Sequence, residues 1–448
     1  MLHLAMSTLV TGGTVASMIA RPDRKASGSM YYGWVILFVS YMIMFFTAGL
    51  SQAFGVFLVP MTRDFGWDRS SFALALSIFA VVSGVVPPIA GRWADRYGPR
   101  PVLTAGAALN ATGMILMAFT PNLWYAYLVY GGIIGLGFGI AGQSANAALL
   151  SRWFVKRRGM ALSISSTGLG MGQLILVPLA TVIIVYASWR TAFLITGIMS
   201  AMLVPMCWFL LRRTDPPLDH SETVEGTPGK LPATVCLTSE AIRMQSREAF
   251  RSRSFWLLGG GFVGCGFTIY LLMTHVVALA TDRGISAAQA GTALGLVGGT
   301  GIVSGVIMGS LSDRIGRKHL LAGLYLLRAV SVVVLMGADS ANALYAFAIM
   351  FGLSRANGAL VAAAVIDLYG RQAVGTILGY TTMFHQIFAA LGAFAGGLAY
   401  DLTGSYNFAL APCIALLLAG SAASLLIDEP RRSRAVSGQP VAVGSAGD

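Results

Sequence analysis

The residues best suited to chemistry in this sequence are a few polar side chains that interrupt long apolar runs. Arg355 lies within FGLSRANGALVA, and His385 and Gln386 lie within YTTMFHQIF. A guanidinium binds anions, and a histidine binds them when protonated or donates a hydrogen bond when neutral. We therefore take these residues as candidates for binding a small anion. The alternatives are an interhelical hydrogen-bonding role for Arg355 and a packing role for His385.

Two short charged segments repeat each other and suggest a second kind of chemistry. GRWADRYGPRP occupies residues 91–101 and GSLSDRIGRK occupies residues 309–318; we call them the two knots. An aspartate at a helix terminus can accept backbone N–H groups and pair with arginines, which would latch two helical bundles together. The alternative is that these charges only set the membrane topology. The candidate latch residues are Gly91, Asp95, Arg96, Gly98, Arg100, Gly309, Asp313, Arg314, Gly316 and Arg317.

The sequence indicates neither an enzyme active site nor a metal site. The five histidines are scattered, and Cys207, Cys236, Cys265 and Cys413 do not have the spacing of metal ligands. The glycine-rich runs lie inside apolar stretches and do not open a phosphate-binding loop. The sequence thus predicts no cofactor, no bound metal and no catalytic residue.

The composition places these candidates in a membrane protein. Of the 448 residues, 56% are hydrophobic and 11% are charged, which is more apolar surface than a soluble protein can bury. Apolar runs of roughly 20 residues recur, each long enough for a helix to cross a hydrocarbon core of about 30 Å. The sequence predicts an all-α membrane protein with twelve transmembrane helices. The spans lie near residues 33–59, 70–90, 102–120, 123–150, 160–185, 190–211, 255–280, 287–311, 319–337, 342–368, 376–400 and 407–427.

The basic residues orient these spans. The net charge of +12 comes from short segments between apolar runs, so it indicates topology and not nucleic-acid binding. Lysine and arginine are retained on the cytoplasmic side of membranes. Placing both termini inside leaves only Arg63, Arg69, Arg190 and Arg283 outside the cell, with Arg328 and Arg355 within spans. We therefore expect a multi-pass protein of the cytoplasmic (plasma) membrane with both termini cytoplasmic.

The spans and the knots divide the chain into two repeated halves. Each knot follows the second helix of a set of six, and its Gly, Asp, Arg and Gly recur at the same interval in the other half. The stretch between the halves is polar and contains prolines, as a linker does. The predicted units are a tail at 1–32, a bundle at 33–211, a linker at 212–253, a second bundle at 254–427 and a tail at 428–448.

The knots resemble the loop signature of the major facilitator superfamily, Gly-x-x-x-Asp-Arg-x-Gly-Arg-Lys, found between helices 2 and 3 and again between helices 8 and 9. The second knot matches through Arg317 and Lys318, whereas Pro99 replaces an arginine in the first. With twelve spans and a central linker, the resemblance covers essentially the whole chain. It implies two pseudo-symmetric six-helix bundles and a latch that stabilises the outward-facing state.

Two further segments are similar to the monocarboxylate transporter and oxalate:formate antiporter branch of that family. They are YYGWVILFVSY with SQAFGVFLVPM, and GLGFGIAGQSANAALLSRWFVKRRGMALSISSTGLGMG. The branch carries small organic anions by proton symport or by exchange. The resemblance places polar substrate contacts in helix 4, at Gln143, Ser144 and Asn146, and we add Gln52 of helix 1 and Gln173 of helix 5 as weaker candidates. For His275, near the outer end of helix 7, we expect an entrance role or an interfacial position.

The sequence also departs from its relatives in the branch. Relatives that handle carboxylates typically have an arginine in helix 8 and some have a lysine in helix 1, yet residues 287–311 contain no cation and residues 33–59 contain no lysine. In this superfamily helices 1, 4, 7 and 10 line the central cavity. Arg355 of helix 10 therefore becomes the decisive candidate for the anion-binding cation.

These observations predict a secondary active transporter that moves a monocarboxylate or a dicarboxylate by alternating access. Protons or a counter-transported anion would be its coupling partner, with His385 as the candidate proton carrier because no acid lies in the middle of a span. The alternatives are an efflux transporter for hydrophobic or cationic compounds and a nontransporting membrane sensor. We expect a monomer in the lipid bilayer without a nucleic-acid partner.

Overall fold

The computed structural model describes residues 32–154, 158–211, 249–369 and 374–427, and the described residues form helices and no strands. The predicted tails and the predicted linker lie outside this range, apart from Tyr32 and residues 249–253. The helical segments group into twelve successive helices, six in each half. The first half contains α1 (Gly33–Phe65), α2 (Arg69–Val85, continued by Pro87–Tyr97), α3 (Pro99–Met117), α4 (123–153), α5 (Arg158–Tyr186) and α6 (Trp189–Leu210). The second half contains α7 (Arg253–Asp282), α8 (Ala287–Ile315), α9 (Arg317–Met336), α10 (Ala341–Tyr369), α11 (Val374–Thr403) and α12 (Asn407–Leu425).

Length and composition confirm that this is an all-α membrane protein. Among the described residues, ten of the helices are long and apolar enough to cross a membrane. The other two are α2, whose apolar part Arg69–Val85 is shorter, and α3, which has 19 residues. At 1.5 Å per residue both still reach about 25 Å or more. Each half therefore contributes six membrane helices.

The knots lie at helix ends. Residues 91–97 continue α2 up to Gly98, and residues 309–315 continue α8 up to Gly316. The chain turns at Gly98 (φ 85°, ψ 158°) and at Gly316 (φ 94°, ψ 153°). Side chains are strained at such positive φ angles, so both positions need glycine. The matching angles show that the two halves repeat each other in backbone conformation.

Among the described residues, three helix pairs make the most extensive contacts between the halves: α1 with α7, α2 with α11 and α5 with α8. We call the last two the α2–α11 seam and the α5–α8 seam. The end of the bundle that carries Gly98 and Gly316 is the knot end, and the opposite end, with Gly66, Gly284 and Gly404, is the far end. The contacts between the halves that are described below lie either at the far end or at mid-depth.

Glycines allow close packing in the α5–α8 seam. A Cβ added at Gly295 would lie 2.8 Å from the Pro178 ring, and one added at Gly170 would lie 2.7 Å from the Gly298 carbonyl oxygen. Small residues of this kind let membrane helices approach backbone to backbone. The seam is thus tight from its far end to Gly170, at mid-depth.

Candidate functional site

The site begins with a break in the middle of α10. Ser354–Ala356 form a single 3₁₀ turn between two α-helical segments. Arg328 of α9 is fully buried, and it donates to Ser354 Oγ over 3.0 Å and to the Ser354 carbonyl over 2.8 Å. Its third described contact is with Cys265 Sγ of α7, at 2.8 Å. Arg328 therefore stabilises the broken segment by satisfying a backbone carbonyl there.

Arg355 lies in this broken segment and reaches across to the other half. The residue is only partly exposed, and its Nη1 donates to Gln173 Oε1 of α5 over 2.6 Å. Among the described residues no carboxylate pairs with this guanidinium. A cation within the hydrocarbon region needs a polar partner or a wet cavity, because exposure to lipid costs several kcal/mol. Arg355 is thus a positive group at the meeting of the two halves with an uncharged partner.

Gln173 is held at both ends of its amide. The residue is fully buried; besides accepting from Arg355, its Nε2 donates to the Leu294 carbonyl of α8 over 2.8 Å. The same nitrogen lies 3.6 Å from Met273 Sδ of α7. One side chain of the first half therefore contacts three helices of the second.

His385 and Gln386 lie on α11 beside this cluster. The His385 ring packs 4.5 Å from the Phe262 ring, and a Cβ added at Gly266, next to Cys265, would lie 3.1 Å from the imidazole. Its Nδ1 lies 3.1 Å from Gln386 Oε1. The Gln386 Nε2 faces α2, at 3.2 Å from Ser83 Oγ. His385 is thus close to the cluster, whereas the amide of Gln386 is engaged across the α2–α11 seam.

Gln52 lies at a second helix break, this one in α1. Gln52 and Ala53 separate the segments Gly49–Ser51 and Phe54–Phe65. Its Oε1 is buried and accepts no hydrogen bond. Gln52 lines a small, mainly apolar pocket between the halves together with Tyr270 of α7. The broken segments of α1 and α10 thus present an amide oxygen and a guanidinium at the interface between the halves.

Two of the expected substrate contacts, Asn146 and His275, bind backbone carbonyls in this conformation. Asn146 is buried, donates to the carbonyls of Ala141 and Gly142 over 2.7 Å and 3.0 Å, and accepts from Ser40. It therefore stabilises the extended turn at Gly142 that interrupts α4. His275 is also buried, with its Nε2 2.9 Å from the Ala393 carbonyl of α11. Both side chains are therefore buried and hydrogen-bonded within the protein.

The remaining helix 4 candidates are described only by their backbone. Gln143 and Ser144 begin the last segment of α4, directly after Gly142. Their side chains lie outside the described part of the structure. Their contact with substrate stays a prediction.

The knots have two latch candidates whose side chains are described, and both contact their own half. Arg100 lies 4.6 Å above the Trp208 ring of α6. Arg317 pairs with Asp367 of α10 over 2.5 Å. In this conformation the described contacts of these two arginines lie within their own halves, and the latch stays a prediction. The side chains of Asp95, Arg96, Asp313 and Arg314 lie outside the described part of the structure. Gly91 and Gly309 lie within the last turns of α2 and α8.

A charged cluster at the far end does bridge the halves. Arg69, the first residue of α2, pairs with Asp282 of α7 through two hydrogen bonds of 2.6 Å and 2.8 Å, and it donates to Tyr406 Oη over 2.5 Å. Asp401 of α11 accepts the backbone N–H groups of Arg69 and Ser70 over 3.1 Å and 2.7 Å. We call Arg69, Asp282, Asp401 and Tyr406 the far-end lock.

Burial and ring stacking strengthen the far-end lock. The Arg69 guanidinium stacks 3.7 Å above the Tyr400 ring, and its side chain is 14% exposed. Burial raises the pKa of Tyr406 well above its ordinary value, so the phenol stays protonated at neutral pH. This cluster was not predicted from the sequence, because Arg69 was interpreted there only as one of the few basic residues outside the cell. The far end of the bundle is therefore closed.

Comparison with known proteins gives consistent results. The family model of the Major Facilitator Superfamily matches residues 34–278 and 257–445. The uncharacterized MFS-type transporter YcxA of Bacillus subtilis is 27% identical over 399 residues, covering 85% of this chain and 91% of its own. Monocarboxylate transporter 13 of Rattus norvegicus is 28% identical over 410 residues, covering 90% of each chain.

A solved structure has the same fold. It is the bacterial homologue of the human lysosomal transporter Spinster, in an inward-facing and occupied conformation. The TM-score is 0.67 at 14% sequence identity, covering 89% of this chain and 95% of that one. At this identity the likeness concerns the architecture of the twelve helices.

Proposed function

This chain belongs to the Major Facilitator Superfamily, and we propose that it carries a small organic anion, a monocarboxylate or a dicarboxylate, across the cytoplasmic membrane. It is a membrane transporter and not an enzyme. In alternating access, two halves rock about a site at mid-depth, so that the site opens to one side of the membrane at a time. The paired six-helix halves and their shared interface suit that motion.

The guanidinium of Arg355 carries the proposal. It is a partly exposed cation at mid-depth of the interface between the halves, and its described partner is the uncharged amide of Gln173. A carboxylate is a stronger acceptor for a guanidinium than an amide is, and it can bind in a bidentate manner. An organic anion would therefore bind at Arg355, with His385 beside it and the amides of Gln52, Gln143 and Ser144 as further contacts.

Named relatives support the substrate class. Several similar proteins are named as monocarboxylate transporters, at 24% to 28% identity. We propose that this chain shares their general class of substrate, coupled to protons or to a second anion. Where protons accompany the substrate, His385 is the candidate carrier. The proposal further places both termini in the cytoplasm and the protein in the bilayer as a monomer.

The far-end lock indicates the side from which Arg355 is reached. Arg69, Asp282 and Asp401 join the halves at the far end. We therefore propose that Arg355 is reached from the knot end. The positive-inside pattern puts the knot end in the cytoplasm. We therefore assign this conformation as inward-facing.

Transport by purified protein in liposomes tests the proposal. We expect saturable uptake of at least one anion among lactate, pyruvate, formate and oxalate, measured with and without a pH gradient. Arg355→Gln should lower kcat/KM by about 100-fold, because loss of a charged hydrogen-bond partner costs roughly 1.5–3 kcal/mol. Arg355→Lys should retain part of the activity, because it keeps the charge.

Arg283 supplies the matched control for this experiment. It donates to the carbonyls of Leu335 and Met336 at the end of α9, away from the proposed site. Arg283→Gln should lower thermal stability and leave KM unchanged. Full anion transport by folded Arg355→Gln would contradict the proposal, and so would transport of tetraphenylphosphonium without transport of any anion.

A further inference from the structure

We infer that Gln173 couples anion binding to movement of the two halves, because a bound carboxylate takes the place of its amide oxygen on Arg355. This inference rests on the proposed function, since it requires an anion at Arg355. It assigns to Gln173 the task of holding the halves together while the site is empty. The contacts at both ends of the Gln173 amide support this assignment.

The described hydrogen bonds of the Gln173 side chain all reach the other half. Its Oε1 accepts from Arg355 Nη1 over 2.6 Å and its Nε2 donates to the Leu294 carbonyl over 2.8 Å. The residue is fully buried, so water does not compete for either contact. A charge-assisted hydrogen bond in such surroundings is among the stronger non-covalent contacts in a protein.

The surroundings leave the amide little freedom to move. A Cβ added at Gly298 of α8 would lie 2.7 Å from Gln173 Cβ, and one at Gly299 would lie 3.2 Å from the Leu174 side chain. Gln173 therefore lies in a closely packed part of the α5–α8 seam. A change in its hydrogen bonds acts directly on the packing between α5 and α8.

An anion changes those hydrogen bonds by competition. Arg355 Nη1 is the donor that Gln173 uses, and a carboxylate attracts that donor more strongly than a neutral amide does. Binding would leave Gln173 held by the Leu294 carbonyl and would remove its contact with α10. One inter-half hydrogen bond is then exchanged for one with the substrate. An uncharged molecule would not displace the Gln173 amide oxygen from Arg355.

The consequence is a rule for the empty transporter. Without an anion, the contact between Gln173 and Arg355 opposes separation of the halves. The empty carrier should therefore change slowly from one access state to the other. With an anion, the contact is lost and the halves move. Exchange of anions should therefore be faster than net efflux in the native protein.

The test compares net efflux with exchange in liposomes containing the full chain. Radiolabelled lactate and oxalate serve as probes of one and two carboxylates, and their Kd is measured by equilibrium dialysis. Gln173→Met keeps the length of the side chain and removes both polar atoms. It should raise the ratio of net efflux to exchange about tenfold or more, since a hydrogen bond to a charged group contributes roughly that factor or more.

A second variant tests the competition itself. Gln173→Glu keeps the shape of the side chain and supplies a resident carboxylate to Arg355. It should weaken the Kd of the probe by at least tenfold, because the probe must displace a charged group. This variant also serves if Gln173→Met fails to fold.

Ser77→Ala is the control for general loosening between the halves. Ser77 is buried and donates to the Ala390 carbonyl over 2.7 Å, so it bridges the α2–α11 seam without touching Arg355. It should change neither the ratio nor the Kd. An equal rise in the ratio for Ser77→Ala would overturn the inference, and so would an unchanged ratio in folded Gln173→Met with an unchanged Kd in Gln173→Glu.

The outcome for the native protein separates the two proposals. Absence of lactate and oxalate binding in the native chain, together with no uptake of any tested anion, would contradict the proposed function and this inference with it. Anion transport that depends on Arg355 but not on Gln173 would contradict the inference alone.

Discussion

The α5–α8 seam and the α2–α11 seam both lie between the halves and correspond to each other in the repeat, since α2 matches α8 and α5 matches α11. They hold the halves together by different means. The α5–α8 seam is packed through glycines and has its buried polar contact at mid-depth, where Gln173 meets Arg355. The α2–α11 seam has a charged lock at its far end, formed with Arg69, and weaker polar contacts at Ser77 and Gln386.

This difference shows that a repeated backbone can support unequal chemistry. Gly98 and Gly316 share their dihedral angles, so the two halves fold alike at the knots. The side chains at the seams do not repeat. One seam connects the halves to the proposed binding site, and the other closes the far end. Four substitutions separate these two tasks.

The largest effect is expected for the far-end lock. Arg69→Gln removes the ion pair with Asp282 and should favour opening of the far end by about 2–3 kcal/mol, which is roughly 30- to 150-fold. Distances between spin labels at positions 63 and 402, which are exposed on opposite halves, report this opening. Asp282→Asn should have no additional effect in the Arg69→Gln background. An unchanged distance distribution would show that the lock does not hold the far end.

A smaller effect is expected from overpacking the other seam. In Gly298→Val the new Cβ would lie 2.5 Å from the Gly170 carbonyl oxygen, so α5 and α8 must separate. Overpacking of this kind costs about 1–3 kcal/mol, which thermal unfolding in detergent would measure. Gly305→Val on the same helix is the control, because no atom lies within 4 Å of its added Cβ. Equal losses in the two variants would contradict the close packing.

The cap on α2 should contribute about 1 kcal/mol. Asp401 accepts two backbone N–H groups at the start of α2, and Asp401→Asn removes the negative charge that the helix N-terminus favours. The same spin-label distances should shift in the direction of Arg69→Gln, but less. Asp68→Asn is the control, since Asp68 precedes α2 and makes no capping hydrogen bond with its side chain. A shift as large for Asp68→Asn would point to net charge as the cause.

The smallest effect is expected at Gln386. Its Nε2 lies 3.2 Å from Ser83 Oγ and 3.4 Å from the Ala80 carbonyl, so the contact across the α2–α11 seam is weak. Gln386→Met should change stability by roughly 1 kcal/mol or less and leave the KM for the transported anion within about twofold. A tenfold rise in KM would instead restore the sequence prediction that Gln386 binds substrate.

The sequence predicted the architecture better than the contacts. Twelve helices in two halves follow from apolar length and the repeated knots, and both are properties of local sequence. Arg355 was identified as a candidate by similar reasoning, because a cation inside an apolar span needs a polar partner or a wet cavity. The break beside it was not predicted, since neither glycine nor proline occurs within Ser354–Ala356.

The contacts between distant helices were beyond the sequence. Arg69 and Asp282 are 213 positions apart, and no local pattern pairs them. Asn146 and His275 were taken as substrate contacts because they are polar residues in apolar spans. The same property suits a buried side chain that satisfies a neighbouring carbonyl, and only the packing distinguishes the two roles.

Arg328 also bears on how the chain enters the bilayer during synthesis. An arginine near the centre of an isolated membrane helix costs about 2.5–3.5 kcal/mol on insertion scales. Its acceptors, Ser354 and Cys265, belong to α10 and α7, so α9 gains them only when its neighbours are beside it. The translocation machinery should therefore release α9 into lipid together with α10, and biogenesis of this half should be sensitive to the length of the connection between them.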